Sequence, residues 1–321
     1  MMRSHTLLPI LVAGGISATP VYIESSGVQL FNFSSYIDIE NSYLRSETQL
    51  LLTTFNDGQL YQINPLAENP QAELILKAPG ATALNGIVRI GADKFAFSGG
   101  VRGNFRYTNE TLYTVDFSQT NSTGAPTVAI VATLPDAVFL NGISALPASP
   151  HVVLLADSNL GCLWRVDTET GAADVAIADA AFAFPAGATT PIGINGLKIR
   201  GGYAYFTNTG TGVFGRIAIT EAGDRAGDVE VLHTVAAGIN WDDFEIAADG
   251  SAYIAQSPGA ILRVTPDGVA SFAAGSANST TLIGPTSITI PRPGKAYVTT
   301  RGGVVGTGTY QFSGQVFGIS I

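Results

Sequence analysis

Carboxylate and amide side chains stand at the head of several short apolar runs in this sequence, where they could form one polar site. They are Glu40, Asn141, Asn195 and either Asp242 or Asp243. Oxygen atoms of carboxylates and amides are the ligands that Ca²⁺ and Mg²⁺ prefer in proteins. If the fold brings these side chains together, the set could therefore hold a divalent cation.

Further polar residues could donate hydrogen bonds to a ligand at the same place. Asn85 precedes an apolar run as Asn141 and Asn195 do, and Asn208 and Arg301 follow such runs. Asn-Gly pairs are also favoured in turns for backbone reasons, so each asparagine alone has a purely structural explanation. Their recurrence at equivalent places favours a shared role, because polar side chains that face one channel must bond one another, a ligand or water.

Aromatic residues in the same stretches of sequence offer an apolar surface to a ligand. Aromatic residues in strands usually belong to the core, but Phe105 and Tyr107 stand in a loop that begins at Gly103. We expect the substrate-binding surface to combine these aromatic and polar residues: Phe55, Phe105, Tyr107, Phe139, Trp241, Tyr310, Asp242 and Gln256. An aromatic pocket of this kind indicates a neutral organic ligand.

The chain has few residues that could act as acid, base or nucleophile. Apart from His5 near the start, its histidines are His151 in a turn and His233 in an amphipathic run, both away from the polar runs. A Ser-His-Asp triad or a histidine-based zinc site therefore lacks its histidines. Cys162, the single cysteine, is expected to be a small packed thiol that forms no internal disulfide.

The charge balance excludes two classes of partner. Lys and Arg number 16 against 25 Asp and Glu in 321 residues, which gives a net charge of −9, and only 13% of the residues are charged. Nucleic acid and anionic membranes are bound by clusters of Lys and Arg, whereas the basic residues here are scattered. We expect no nucleic-acid partner and no membrane span. The sequence does not indicate an oligomeric state.

A repeated strand pattern sets the fold class. The chain contains 37 Gly and 16 Pro among many β-branched and aromatic residues, which is typical of a turn-rich β protein. Six alternating runs recur at intervals of about fifty residues, the size of a propeller blade. They are Leu60–Ile63, Leu112–Val115, Leu163–Val166, Phe214–Ile217, Ile261–Val264 and Val316–Ile319.

These six units predict an all-β fold, a six-bladed β-propeller. Closing the blades into a ring removes the sheet edges that an open array would expose. The sixth unit lacks an outer strand, so we expect Val28–Phe33 to pair with Val316–Ile321 and to close the ring. No linker interrupts the pattern, and residues 19–321 are predicted to form a single domain.

The first residues are typical of a secretory signal peptide. A short basic start is followed by the apolar stretch Thr6–Ile16 and by small residues at Ser17 and Ala18, so residues 1–18 are predicted to be removed. A buried N-terminal strand is the alternative, but Pro9 and Gly14 would interrupt it. The stretch is too short to span a bilayer, which requires about twenty residues.

Four sequons become usable if the chain enters the secretory pathway. Each has the Asn-x-Ser/Thr pattern of N-glycosylation: Asn32, Asn109, Asn121 and Asn278. Such tripeptides also arise by chance in a chain of this length. Together with the leader they predict a lumenal or secreted glycoprotein.

Several segments carry a resemblance to a known superfamily. They are Ile39–Asn41, Gln49–Thr53, Leu60–Pro65, Asn141–Ile143 and Asn195–Leu197. In this pattern the chain resembles the six-bladed propellers of the SMP-30/gluconolactonase-like superfamily. It also resembles a fungal branch with secretory leaders, the hetero-Diels-Alderases of tropolonic sesquiterpene biosynthesis.

The resemblance to lactonases implies a metal site. Lactonases of the superfamily hold a divalent metal through Glu, Asn and Asp side chains, which correspond by position to Glu40, Asn141, Asn195 and Asp242 or Asp243. Two departures put metal-dependent hydrolysis in doubt. The Gly-Pro turn that follows the lactonase glutamate is missing after Glu40, and the acidic residue is doubled at 242–243.

The resemblance to the hetero-Diels-Alderases implies a pericyclase that joins a humulene-type sesquiterpene to a tropolone-derived quinone methide. Its partners would be small apolar terpenoid and polyketide-derived molecules, and it would need no cofactor. The sparse acid–base residues favour this reaction, which depends on orientation, exclusion of water and hydrogen bonding. A lactonase that uses Ca²⁺ or another divalent metal is the first alternative. A non-catalytic ligand-binding propeller is the second.

Overall fold

The computed structural model describes residues 27–122, 124–236, 239–276, 278–303 and 313–321. Within these ranges the regular secondary structure consists of twenty-four β-strands and one 3₁₀ turn, Ala180–Phe182. None of the described helical structure is long and apolar enough to cross a bilayer. The signal peptide expected at residues 1–18 and the aromatic residue Tyr310 lie outside the described residues, and the single domain at 19–321 stays a prediction.

The described strands form six four-stranded sheets, each antiparallel, which are the blades of a β-propeller. The first strand is β1 (Val28–Asn32). Blade one contains β2 (Ile39–Ser46), β3 (Gln49–Thr54), β4 (Gln59–Ile63) and β5 (Ala72–Lys77). Blade two contains β6 (Ala83–Arg89), β7 (Lys94–Val101), β8 (Thr108–Thr120) and β9 (Pro126–Thr133).

The next two blades follow the same order from the centre outwards. Blade three contains β10 (Leu140–Leu146), β11 (Ser149–Asp157), β12 (Cys162–Asp167) and β13 (Ala173–Ala178). Blade four contains β14 (Ile194–Arg200), β15 (Tyr203–Asn208), β16 (Val213–Ile219) and β17 (Arg225–Thr234). The predicted all-β, six-bladed architecture is confirmed by these blades and the two that remain.

Blades five and six complete the ring. Blade five contains β18 (Asn240–Ile246), β19 (Ala252–Ser257), β20 (Ala260–Val264) and β21 (Ala270–Gly275). Blade six contains β22 (Pro285–Arg292), β23 (Lys295–Thr300), β24 (Gln315–Ile319) and, as its outer strand, β1. β1 pairs antiparallel with β24, so that Val28 lies opposite Gly318 and Asn32 opposite Gln315. The expected closure of the ring is confirmed.

Apolar side chains fill the spaces between neighbouring blades. Leu154 of blade three and Phe206 of blade four belong to one such cluster. Phe214 of blade four and Phe244 of blade five belong to the next, with their ring centroids 5.2 Å apart. Burying a side chain of this size stabilises the fold by about 1.5–3 kcal/mol. With the core between the blades, the polar heads of the inner strands are left for the central channel.

The inner strands of neighbouring blades contact one another around the whole ring. In each blade the pairing of the inner strand with the second strand is irregular near the head of the inner strand. At Gly86 a Cβ would overlap the carbonyl oxygen of Asn141, and at Gly142 it would overlap that of Asn195. Glycine therefore follows Asn85 and Asn141, because only a residue without a side chain allows neighbouring inner strands to approach so closely.

Candidate active site

A cavity of about 550 Å³ opens at the end of the channel where the inner strands begin. Its walls come from the starts of β2, β10, β14, β18 and β22 and from the loops that follow β3, β7, β19 and β23. This volume lies in the range of small-molecule binding sites. The site is thus assembled on the ring axis from segments that are far apart in sequence.

Most of the residues expected at the site lie together. Nine of them line the cavity: Glu40, Phe55, Phe105, Tyr107, Phe139, Asn141, Asn195, Asp242 and Arg301. The aromatic members pack against one another on the side of blades one to four. The acidic members and Arg301 lie on the side where blade one meets blades five and six.

Other residues expected at the site are used to hold the blades together. Asn85 is completely buried and its Nδ2 donates a short hydrogen bond to the carbonyl of Leu140 in the next blade. Asn208 is also buried, and its Nδ2 donates to the carbonyls of Ala181 and Ala183, each at 2.9 Å. Neither asparagine lines the cavity, so their hydrogen bonds position the strands and loops around it.

Trp241 and Gln256 form a buried pair outside the cavity. The indole Nε1 of Trp241 donates to Oε1 of Gln256 at 3.1 Å, and both side chains are buried. The ring of His233 stacks on Trp241 with centroids 5.9 Å apart. Adjacent residues of a strand face opposite sides, so Trp241 points into the core while Asp242 points into the cavity.

Asp243 also lies outside the cavity lining and forms an ion pair. Both of its carboxylate oxygens lie 2.7 Å from Nζ of Lys198, and Oδ2 accepts a further hydrogen bond from Asn41 at 2.9 Å. Its Oδ1 also accepts the backbone N–H of Phe244 at 2.8 Å. These four contacts occupy the carboxylate, so of the acidic doublet only Asp242 faces the cavity.

The aromatic wall is built around Tyr107. Its ring stacks on Phe139, with centroids 4.7 Å apart and an interplanar angle of 17°, and meets the edge of Phe55 at 6.4 Å. Phe105 and Ile192 pack against this group and are only partly buried. The Tyr107 hydroxyl donates to none of the described residues, although burial raises its pKa above the ordinary value. It is a hydrogen-bond donor in an otherwise apolar wall.

The loop that carries Phe105 and Tyr107 is held in place by the neighbouring blade. Phe105 has a φ of 56°, which places it in the left-handed region that few non-glycine residues adopt. The backbone N–H of Tyr107 donates to the carbonyl of Val138 at 2.7 Å, and Arg106 donates to Asn159 at 2.8 Å. The neighbouring blade therefore fixes a backbone turn that presents both aromatic rings to the cavity.

Three carboxyl groups, those of Asp38, Glu40 and Asp242, also line the cavity. Burial raises the pKa of Asp38 and raises that of Glu40 well above its ordinary value, and the nearby charge of Asp242 adds to the effect on Glu40. Burial also raises the pKa of Asp242 to about 7. Arg102 and Arg301 oppose the shift at Asp38 and Glu40 because their positive charges stabilise the carboxylates. Asp242 is therefore poised to exchange a proton near neutral pH.

Sequence reasoning missed two residues of this side, Asp38 and Arg102. Asp38 stands two residues before Glu40, and residues at that spacing in an extended segment share a side, so the alternation could have revealed it. Arg102 precedes the loop that begins at Gly103, and its guanidinium lies 4.2 Å above the ring of Phe55. Nothing in the sequence indicated that contact, because Phe55 belongs to another blade.

Two amide side chains of the cavity differ in what they bond. The side chain of Asn141 makes no hydrogen bond with any described residue although it lines the cavity. Nδ2 of Asn195 donates to Thr209 at 2.9 Å, while its Oδ1 is buried and has no partner in the described part of the chain. Both asparagines therefore have hydrogen-bonding capacity left for a ligand.

The oxygen atoms available for a metal are those of Glu40, Asn141, Asn195 and Asp242. Their chemical types suit Ca²⁺, and the partnerless Oδ1 of Asn195 is a free acceptor. Against this, the charge of Arg301 acts on Glu40 and Asp242 and would repel a cation. The described residues hold no group of three His, Cys, Asp or Glu side chains arranged for a metal ion. The oxygen types of these four side chains fit a divalent cation, whereas the charge of Arg301 opposes one.

Two relatives with assigned names match most of the chain. A protein from Phoma sp. named "Putative hetero-Diels-Alderase" is 26% identical over 282 residues, which cover 80% of each chain. A protein from Sarocladium schorii named "Putative hetero-Diels-Alderase asR5" is 27% identical over 286 residues, which cover 79% of this chain and 71% of that protein. The chain is similar to hetero-Diels-Alderases. The resemblance drawn from the sequence is confirmed, whereas no protein-family model matches.

Solved structures similar to this chain include a regucalcin and a gluconolactonase. Regucalcin, a calcium-binding protein from Agrobacterium tumefaciens, superposes with a TM-score of 0.63 at 15% identity over 92% of this chain and 94% of its own. A gluconolactonase from Xanthomonas campestris gives 0.62 at 11% identity over 91% and 89%. At these identities the likeness shows the propeller fold alone.

Proposed function

We propose that this chain is a hetero-Diels-Alderase that joins a tropolone-derived quinone methide to a humulene-type sesquiterpene in the central cavity. One observation carries the proposal: a single cavity is lined both by an aromatic wall around Tyr107 and Phe139 and by the polar side chains of Arg102 and Arg301. A reaction between one apolar and one oxygenated molecule needs both surfaces. The similarity to two proteins of that name supports it.

The proposed reaction moves electrons without a nucleophile or base in the protein. The quinone methide supplies the C=C–C=O unit and the sesquiterpene supplies one C=C. A C–C bond and a C–O bond form, one new C=C appears within the former diene, and no atom leaves. The protein must hold the reacting atoms about 3–3.5 Å apart in alignment. This requirement agrees with the small number of candidate nucleophiles in the chain.

Hydrogen-bond donors accelerate such a reaction by stabilising the negative charge that develops on the carbonyl oxygen. The cavity offers donors that are not used by other described residues: the Tyr107 hydroxyl, the Asn141 amide and the Arg301 guanidinium. Fixed donors in a site that excludes water need no reorganisation during the reaction. We assign the oxygen of the quinone methide to this group, and the hydrocarbon partner to Phe139 and its neighbours.

The aromatic wall also protects the reactive intermediate. A quinone methide is attacked by water, so the catalyst must exclude water while the second reactant approaches. Phe55, Phe105, Tyr107, Phe139 and Ile192 form a continuous apolar group on one side of the cavity. Filling the cavity with a sesquiterpene would displace water from that surface.

A metal-dependent lactonase is the alternative function. It is favoured by the unpaired Oδ1 of Asn195 and by the carboxyls of Glu40 and Asp242 in the same cavity. It is disfavoured by the two arginines beside those carboxyls. The expectation that the chain needs no cofactor stays a prediction.

A rate assay with a chelator control tests both functions. The quinone methide would be generated in situ in the presence of humulene, and the adduct and its stereochemistry measured by chiral chromatography with and without the protein. The proposal predicts a faster reaction with a single stereoisomer, unchanged after dialysis against EDTA. An adduct that forms no faster with the protein contradicts the proposal. Lactone hydrolysis that is lost with EDTA and restored by Ca²⁺ would establish the alternative.

We further propose that the chain matures in the secretory pathway. The four sequon asparagines, Asn32, Asn109, Asn121 and Asn278, are all exposed, so each could accept a glycan without unfolding. Expression in a fungal host followed by deglycosylation and mass spectrometry tests this proposal. A secreted product that begins after residue 18 and loses mass on deglycosylation is expected. A product found only inside the cell, with the leader retained, would refute it.

A further inference from the structure

The arginines of the described structure differ in how many acceptors they find. Most donate at least two side-chain hydrogen bonds to protein oxygens: Arg45, Arg89, Arg165, Arg200, Arg216, Arg225 and Arg263. Each guanidinium has five N–H donors in a planar fork. Outside the cavity, Arg106 donates one such bond and Arg292 donates none to the described residues.

The two arginines of the cavity also find few acceptors, and they line the same cavity. Arg102 makes one contact, from Nη1 to Oδ2 of Asp38 at 3.5 Å, which is at the limit of a hydrogen bond. The guanidinium of Arg301 donates to none of the described residues, and only its backbone N–H is bonded, to Gly284 at 2.9 Å. The described residues thus leave nearly all of their N–H donors unoccupied.

Both guanidinium groups act on the same end of the cavity. The charges of Arg102 and Arg301 each act on Asp38 and on Glu40. The guanidinium of Arg102 packs on the ring of Phe55. The Cγ and Nε atoms of Arg301 lie against Gly284. Two anchored forks that line one cavity match a planar ligand with adjacent oxygens, because an arginine fork binds two oxygens at once.

We infer that Arg102 and Arg301 form an oxyanion site, in which two adjacent oxygens of a planar ring, one of them ionised, are held between the two guanidinium groups. The inference rests on the proposed function, because it assigns a charge state to the oxygenated reactant of that reaction. Arg102 is then a specificity-determining residue. With the oxygens fixed at this end, the rest of the ring extends towards Tyr107 and Phe139.

The carboxyls in the cavity do not oppose this arrangement strongly. Oδ2 of Asp38 already accepts hydrogen bonds from Tyr36 at 3.2 Å and from Arg102. Glu40 and Asp242 are held in surroundings that disfavour their charged forms. A ligand oxyanion that approaches Arg102 would replace the long contact with Asp38 by shorter hydrogen bonds, which are the stronger ones.

A pair of ring compounds tests the inference by isothermal titration calorimetry. Tropolone has adjacent oxygens and ionises, whereas 2-methoxytropone has the same ring and cannot ionise. At a pH above the pKa of tropolone, we expect the full chain to bind tropolone at least about tenfold more tightly than its ether, as loss of a charged hydrogen bond implies. Arg102→Gln and Arg301→Gln should each weaken tropolone binding by about ten- to a hundredfold, and leave the ether almost unchanged.

Arg292→Gln is the matched control, because it removes the same charge from an arginine outside this cavity. It should leave the affinities for both compounds unchanged, and circular dichroism should show that all three variants fold. Equal affinity of the wild type for tropolone and the ether, no tropolone binding, or full binding by both cavity variants would overturn the oxyanion site.

The outcome of the cycloaddition assay is separate from the outcome of the binding test. Product formation by a chain that does not prefer tropolone would overturn the oxyanion site and leave the proposed function intact. Arginine-dependent preference for tropolone without any cycloaddition would support the oxyanion site and overturn the proposed function.

Discussion

Nζ of Lys198 lies 2.7 Å from both carboxylate oxygens of Asp243, and this pair joins the inner strands of blades four and five beside the cavity. The side chain of Asp243 is 5% exposed and that of Lys198 is 22% exposed. Removing one partner of a buried ion pair leaves the other charge uncompensated. The pair is therefore a structural element of the ring rather than a surface ion pair.

Replacing Lys198 should destabilise the protein strongly. Lys198→Met leaves the carboxylate of Asp243 without its cation, and breaking a buried pair in this way costs about 3–5 kcal/mol. Lys77→Met is the matched control, because Lys77 and Asp57 form an exposed pair at the same 2.7 Å distance, and its loss should cost about 1 kcal/mol or less. Urea unfolding measures both. Equal losses of stability would show that Asp243 does not depend on Lys198.

Glu110 should make stability fall as the pH rises. Burial raises the pKa of Glu110 to about 8, above its unfolded value near 4.3, so the folded state binds the proton more tightly. The resulting stabilisation is complete below the unfolded pKa and is lost as the pH rises to about 8. Relative to the wild type, Glu110→Gln should therefore gain a few kcal/mol in the free energy of unfolding between about pH 5 and pH 8.

The comparison isolates Glu110 because the other buried acids are present in both proteins. Chemical unfolding at a series of pH values gives the difference directly. Glu73→Gln, which removes an exposed carboxyl, serves as the control and should show no such trend. A difference between Glu110→Gln and the wild type that stays constant with pH would contradict the assignment.

The Tyr107 hydroxyl should contribute to the rate of the proposed cycloaddition. Tyr107→Phe removes a hydrogen-bond donor and keeps the ring stacked on Phe139, so we expect kcat to fall about tenfold, equivalent to about 1.4 kcal/mol, with little change in KM. Tyr113→Phe is the control, because its hydroxyl donates to the carbonyl of Pro79 outside the cavity. Unchanged kcat in Tyr107→Phe would remove Tyr107 from the donor group.

Alanine should not be tolerated at Gly142. Its Cβ would overlap the carbonyl oxygen of Asn195 and lie 2.6 Å from the backbone nitrogen of Leu197, and overpacking of this kind costs about 1–3 kcal/mol or more. Gly227→Ala is the control, because the nearest atom there is the Cβ of Ala218 at 3.1 Å. Thermal unfolding should show a large decrease in Tm for the first variant alone. A similar small decrease in both would indicate that the inner strands can move apart.

The fold could be predicted from the sequence because its strand pattern is local and is repeated along the chain. Alternating strands recur in six copies, and the unpaired segment β1 had one sheet edge left to fill. Much of the cavity was predictable for the same reason, since the residue at the head of an inner strand faces the axis wherever the pattern is kept. Asn141, Asn195 and Asp242 are examples.

The rest of the site depends on contacts between blades, which a single sequence does not contain. Asn85 has the same motif as Asn141 and Asn195, yet its amide bonds the carbonyl of Leu140 instead of lining the cavity. Arg102 reaches the cavity because Phe55 of another blade supports it. The position of Trp241 outside the cavity could have been predicted, because alternation within β18 directs its side chain away from the side that Asp242 occupies.

The closure of the ring by β1 and β24 has a consequence for biosynthesis. Val28 and its partner Gly318 are 290 residues apart (318 minus 28). At about 5–20 residues per second, the ribosome needs on the order of fifteen seconds to a minute between them. During that interval five blades can form while β1 has no partner and its backbone donors are open to other chains. During synthesis β1 must therefore remain unpaired until β24 has been made.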